Sequence, residues 1–244
     1  MMKKTVLAVV TVSMLGLAGC SAVHTAVAKR NLDVQTKMSE TIFLEPAAER
    51  TVYLQIRNTS TEQDLSLEPK LRQALQNKGM SISTNPDTAQ YWIQANVLSV
   101  GKMNLRDAEN TLISGYGAGA FGAAAAAGVV GYNSSSGGAA LGAGLVGALV
   151  GVAADAMVED TNYTMVTDLQ IAEKTPKGVT VTTDNIAMLK QGTSGGKVQT
   201  STAQGDRHKY QTRVVSNANQ VNLEFKDAKT ALEDQLSKSV AGIF

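Results

Sequence analysis

Val52, Leu54 and Ile56 alternate with Tyr53, Gln55 and Arg57, and this period of two predicts a strand buried on one face. In SLEPKLRQALQNKG the spacing lengthens. Leu67, Leu71, Ala74 and Leu75 fall on one helical face, with Ser66 placed to cap the start and Gly79 to close the end. A short strand and then a longer one follow, the second in TAQYWIQANVLSVG, where Ile93, Ala95 and Val97 oppose Trp92, Gln94 and Leu98. The alternation returns in NYTMVTDLQIAEK, with Tyr163, Met165, Thr167, Leu169 and Ile171 as the inward set. Pro176, Lys177 and Gly178 predict a turn into VTVTTD, residues 191–209 have the composition of a loop, and YQTRVV predicts a further strand. Phe225, Ala228, Leu232, Leu236 and Val240 form one stripe of a closing amphipathic helix. Residues 33–110 and 159–244 therefore predict a single α+β domain interrupted by an insertion at 111–158.

The insertion breaks every periodicity. From Asn110 to Ala154 there are 45 residues without a charge, rich in glycine and alanine. About 20 apolar residues span a bilayer as a helix, so the block has room for two, near 113–132 and 139–158. Asn133, Ser134, Ser135, Ser136, Gly137 and Gly138 supply the turn between them. Small residues recur every fourth position: Gly115, Gly119, Ala123, Ala127 and Gly131 in the first helix, and Ala139, Ala143, Gly147 and Gly151 in the second. Such rows let helix backbones approach closely, which is how helices associate in lipid. In water each glycine costs a helix about 1 kcal/mol relative to alanine. The pattern thus predicts a glycine-zipper hairpin inserted in a membrane and packed against copies of itself, in a homo-oligomeric ring. A flexible Gly/Ser linker and a hairpin buried in a soluble core are the competing readings. The scarcity of polar residues between Gly115 and Tyr132 weighs against the linker.

The N-terminus supplies a membrane by another route. Lys3 and Lys4 precede the apolar run TVLAVVTVSMLGLAG, a secretory signal too short to count as a span. Leu17, Ala18, Gly19 and Cys20 resemble the lipobox of bacterial lipoproteins. That resemblance implies cleavage between Gly19 and Cys20, with S-diacylglycerol and N-acyl groups on Cys20. Residues 1–19 are then the signal peptide, and residues 20–32 a lipidated tether. Cys20 is the only cysteine, which excludes an intramolecular disulfide, and lipidation explains an odd thiol in an exported chain. Ser21 stands where lipoproteins kept in the inner membrane typically have Asp, so outer-membrane sorting is expected.

Charge and motifs exclude more than they offer. The mature chain is near neutral with no basic patch, so no nucleic-acid partner is expected. Gly117, Gly119 and Gly122 match G-x-G-x-x-G, but no acidic residue follows at the ribose distance. Gly196 and Lys197 lack the rest of a phosphate loop, with Gln191 at its first glycine and Val198 where Ser or Thr belongs. With only His24 and His208 as histidines and Cys20 acylated, a His/Cys metal site is not expected. Asp206 and His208 lack a nucleophile elbow, and no nucleophile, base and oxyanion donor assemble. No enzyme and no cofactor are expected.

The start GLAGCSAVHTAVAKRNLDVQTKMSETIFLEP, the central glycine–alanine block and the ending LEDQLSKSVAGIF resemble the TraT family. These are surface-exclusion and complement-resistance lipoproteins encoded by conjugative plasmids. The resemblance spans essentially all 244 residues. It implies a surface-exposed, oligomeric outer-membrane lipoprotein that blocks mating-pair formation with donors of related plasmids and confers serum resistance. Its expected partners are copies of itself, outer-membrane lipids, and a donor pilus tip, a mating-pair adhesin or a recipient outer-membrane protein. A structural envelope lipoprotein and an oligomeric pore are the alternative functions. Of the family's functional residues, only Cys20 carries over, as the lipid attachment site. Residues 133–138 and 191–209 are the expected discriminators of exclusion specificity.

Overall fold

Each half of the polar sequence contributes strands that find hydrogen-bonding partners in the other half. The computed structural model describes residues 27–117, 159–191 and 195–244. Its elements are β1 (Asp33–Met38), β2 (Thr51–Asn58), α1 (Leu67–Asn77), β3 (Ser81–Ser83), β4 (Tyr91–Lys102) and α2 (Leu105–Ile113). After the insertion come β5 (Asp160–Lys174), β6 (Val181–Gln191), β7 (Gly195–Gly205), β8 (Arg207–Val221) and α3 (Phe225–Ala241). Six strands form one mixed sheet in the order β1-β8-β5-β4-β2-β3, and β6 and β7 form a separate pair. β2 runs parallel to both β3 and β4, whereas β1–β8, β8–β5 and β5–β4 are antiparallel.

The apolar sets read from the sequence all face one side of this sheet. Val52, Ile93, Ala95, Val97, Met165, Leu169 and Ile171 bury there under α1 and α3, which contribute Leu71, Leu75, Ala228, Leu232 and Leu236. A bulge between Val97 and Ser99 matters for this core. In a regular strand Val97 and Val100 would point to opposite faces; the extra residue returns both to the same core. Gly79 closes α1 at φ +80°, where a side chain would be strained. Ser66 makes no side-chain cap bond at the start of α1. Its backbone N–H instead donates to Glu233 of α3 at 2.7 Å, and Lys70 reaches the same buried carboxylate at 3.0 Å.

Two predicted features change. The loop composition of 191–209 predicts no strand, yet Gly195–Gly205 pairs along its whole length with Val181–Gln191, and β8 already starts at Arg207. Cross-strand pairing overrides the weak strand preference of Gly, Ser and Gln. The strand in YQTRVV extends from Arg207 to Val221, because β1 and β5 pair with it on its two sides. Among the described residues, no helix is long and apolar enough to cross a membrane.

Candidate functional site: the junction beside the glycine–alanine block

On the face opposite α1 and α3 the sheet is polar, and its rows can be read straight across the strands. Gln55, Gln94, Gln170 and Gln211 form one row. Gln94 Nε2 donates to Gln55 Oε1 at 2.6 Å, Gln170 Nε2 to Gln94 Oε1 at 2.6 Å, and Gln211 Nε2 to Gln170 Oε1 at 2.7 Å. Beside it lie Tyr53 and Trp92, edge to face with centroids 6.4 Å apart. Arg207 packs 4.4 Å above the Trp92 ring and donates to the carbonyls of Pro86, Ala89 and Gln90. Burial lowers the pKa of this guanidinium, while Asp206 and Asp87 oppose that shift.

Farther along, α2 covers the face. Asn104 caps this helix by accepting from the Asp107 N–H at 2.9 Å, and its amide donates to the Asp107 carboxylate. Ala108 and Leu112 then pack with Met103 and Leu98 on Val166 and Val215. At the C-terminal end of α2 lies the most buried charge pair of the described residues. Arg213, only 1% exposed, donates through Nε to Asp168 Oδ1 at 2.8 Å and through a terminal nitrogen to Oδ2 at 3.1 Å. Its other terminal nitrogen donates to Ser114 Oγ at 3.0 Å and to the Thr111 carbonyl. Asp168 Oδ2 also accepts from the Gly117 N–H at 3.0 Å. One forked ion pair between facing residues of β5 and β8 therefore holds the last turn of α2 and the backbone just before the block.

The site residues expected from the sequence divide sharply. Gly19, Cys20, Gly119, Ala123, Ala127, Gly131, Ala139, Ala143, Gly147 and Gly151 lie outside the described residues, as does segment 133–138. Gly115 is described, and its place differs from the expectation. Its φ is +73° and its N–H bonds to the Leu112 carbonyl, so it ends α2 instead of beginning a helical row with Gly119. Gly117, at φ +72°, repeats the left-handed conformation. Thr111 and Ser114, counted with the insertion in the sequence, are tied to Arg213 of the domain. Across the gap, Glu159 is fixed at the far end of β5, by Lys102 at 3.0 Å and by paired bonds with Asn222. Asp168 and Glu159 are nine positions apart on the extended chain. The two anchors therefore stand about 30 Å apart along the sheet.

The cap at Asn104 and Asp107 was a readable sign of α2, but the charge-free run beginning at Asn110 hides where that helix stops. Arg213 and Asp168 carry no such sign, because their pairing depends on the register of strands 45 residues apart.

Three further ionisable groups lie together under the sheet's other face. Tyr210 donates to buried Glu173 at 3.1 Å, and Glu173 also accepts from the Glu45 N–H. Burial raises the pKa of Tyr210, and Glu173 adds to it; burial and Glu173 likewise raise Tyr91. A raised folded value means that stability is complete below the unfolded tyrosine pKa near 10 and is lost as pH climbs through the folded values. Alkaline titration followed by tyrosinate absorbance is expected to show these two tyrosines ionising late, together with unfolding. Ionisation of both near the ordinary tyrosine value, before unfolding, would contradict the burial of this cluster.

Comparisons with known proteins decide the family. The model of the family described as "Enterobacterial TraT complement resistance protein" matches residues 31–244. The chain belongs to the TraT family. A TraT complement resistance protein of Escherichia coli is 60% identical over 242 residues, covering 99% of this chain and 99% of that one. The TraT protein of Escherichia coli strain K12 is 60% identical over 241 residues, covering 99% and 98%. A TraT protein of Wigglesworthia glossinidia brevipalpis is 30% identical across 98% of this chain and 95% of its own. Among solved structures, the PelC L103M dodecamer from Paraburkholderia phytofirmans aligns with a TM-score of 0.29 and 10% identity, over 86% of this chain and 98% of that chain.

Proposed function

We propose that this TraT-family chain is an outer-membrane lipoprotein that protects the cell surface against complement and obstructs mating-pair formation by donors carrying related plasmids. The observation that carries this reading is the 60% identity to TraT complement resistance proteins along essentially the whole of both chains. Cys20 bears the lipid, the glycine–alanine block supplies a helical hairpin held in the bilayer, and identical copies assemble so that their hairpins pack through small residues. The junction at Arg213 and Asp168 fits this arrangement. A lipid-embedded segment needs a fixed departure point from a polar domain, and two left-handed glycines beside a buried ion pair provide one.

Serum survival tests the reading. Complement-sensitive Escherichia coli expressing the chain is expected to survive exposure to serum and to receive a related plasmid less often than cells carrying an empty vector. Cys20→Ala is expected to return both quantities to the empty-vector level while the chain is still made. Unchanged serum killing with the intact chain present at the surface would overturn the complement role. An undiminished mating frequency would overturn exclusion.

A further inference from the structure

The pair β6–β7 sits awkwardly in a single chain. Each strand is 11 residues long, about 36 Å when extended, and among the described residues the two pair only with each other. Every residue from Asp184 to Ile186 and from Val198 to Gly205 is exposed, including Ile186 at 71% and Val198 at 63%. A lone two-stranded ribbon is marginal in water, and three or more strands are needed for independent stability. Among the described residues, nothing pairs with the outer N–H and C=O groups of either strand. Proteins normally blunt such edges with proline, lysine or bulges. Here neither strand contains proline, the pairing of Val181–Gln191 with Gly195–Gly205 is unbroken, and Lys190 and Lys197 stand only near the tip. From Val181 to Ile186 and from Val198 to Gly205 the one charge is Asp184, whose carboxylate accepts from Thr202 Oγ1 at 2.6 Å.

We propose that the hairpins of neighbouring copies join edge to edge, β6 of one chain against β7 of the next, as one continuous antiparallel collar. The inference rests on the homo-oligomer reading above and names its contact surface. Strand direction favours a second copy as the occupant. Within a chain β7 runs antiparallel to β6, and rotation about a common axis preserves that direction. Each β7 therefore meets the next copy's β6 antiparallel, in the same register every time. Every hairpin has two bare edges, and a foreign peptide would cover one and leave the other open. A ring of identical copies consumes both, because a head-to-tail contact that closes leaves no end. Thr, Ser and Gln suit such self-pairing: from Val181 to Ile186 and from Val198 to Gly205 the one charge is Asp184, so no like charges can meet along that part of the seam.

Photo-crosslinking in the intact, membrane-bound protein tests this. With p-benzoylphenylalanine in place of Thr200, irradiation is expected to give a covalent dimer whose linked peptide lies within residues 181–191. The same group in place of Lys226, exposed on α3, is expected to give no such product. Replacing residues 183–203 by Asn-Gly leaves β5 and β8 untouched and is expected to lower the temperature at which the oligomer separates into single chains, while the melting of the domain itself stays put. If the particle keeps its oligomeric mass but Thr200 links only within its own chain or to another protein, the edge pairing is wrong. Unchanged heat resistance of the shortened variant would rule out the pairing equally. A monomeric native particle would remove the homo-oligomer reading as well.

Discussion

Arg213→Ala is expected to destabilise the domain by about 3–5 kcal/mol, the usual penalty for stripping one partner from a buried ion pair. Asp168, 12% exposed in the intact pair, would keep only the Gly117 N–H among the bonds described at this site. Ser114 and the Thr111 carbonyl would lose their donor in the same step, so the end of α2 loosens with the pair. The penalty belongs to the orphaned charge more than to the attraction itself. Arg213→Met combined with Asp168→Leu removes both charges at similar volume and is expected to lie much closer to the parent. Denaturant unfolding of the detergent-solubilised chain, followed by the fluorescence of its single tryptophan, Trp92, reads both variants. A loss below about 1 kcal/mol for Arg213→Ala would put the pair in the class of solvent-exposed bridges and deny it a role at the junction.

Leu232→Ala is expected to cost about 2–5 kcal/mol, the range for a buried leucine whose cavity closes only in part. Leu232 has no exposed surface and lies in the core cluster with Leu71 and Leu75 of α1 and Leu169 of β5. The same truncation at Leu105, on α2 and 52% exposed, is expected to fall within about 0.5 kcal/mol of the parent. Thermal unfolding of the two variants side by side checks the pair. Equal effects would mean that α3 does not seal the core in the way its stripe of apolar residues requires.

Where the chemistry is periodic, the sequence was a good guide. Leu67, Leu71 and Leu75 and the stripe from Ala228 to Val240 face the core as their spacing predicts. The inward set of β5, from Tyr163 to Ile171, does the same. The misses come from partners distant in sequence. β1 has only Val34 and Met38 as apolar residues and becomes a strand because β8 lies beside it. β7 is poor in strand formers and exists through β6. The glutamine ladder consists of four unremarkable polar positions until register aligns them. Gly115 shows the opposite error. A spacing of four made it look helical, whereas its left-handed backbone serves to end α2.

The glycine–alanine block is proposed above to reside in lipid. Single cysteines placed along this segment, each carrying a nitroxide, report whether lipid-dissolved oxygen or a water-soluble nickel complex reaches them; unlabelled Cys20 is checked by running the parent chain, whose only cysteine it is, through the same labelling. The proposed arrangement predicts high oxygen and low nickel accessibility at positions near 120–130 and 141–156, with nickel access regained near 134–137. Free nickel access throughout would place the segment in water and contradict that claim directly.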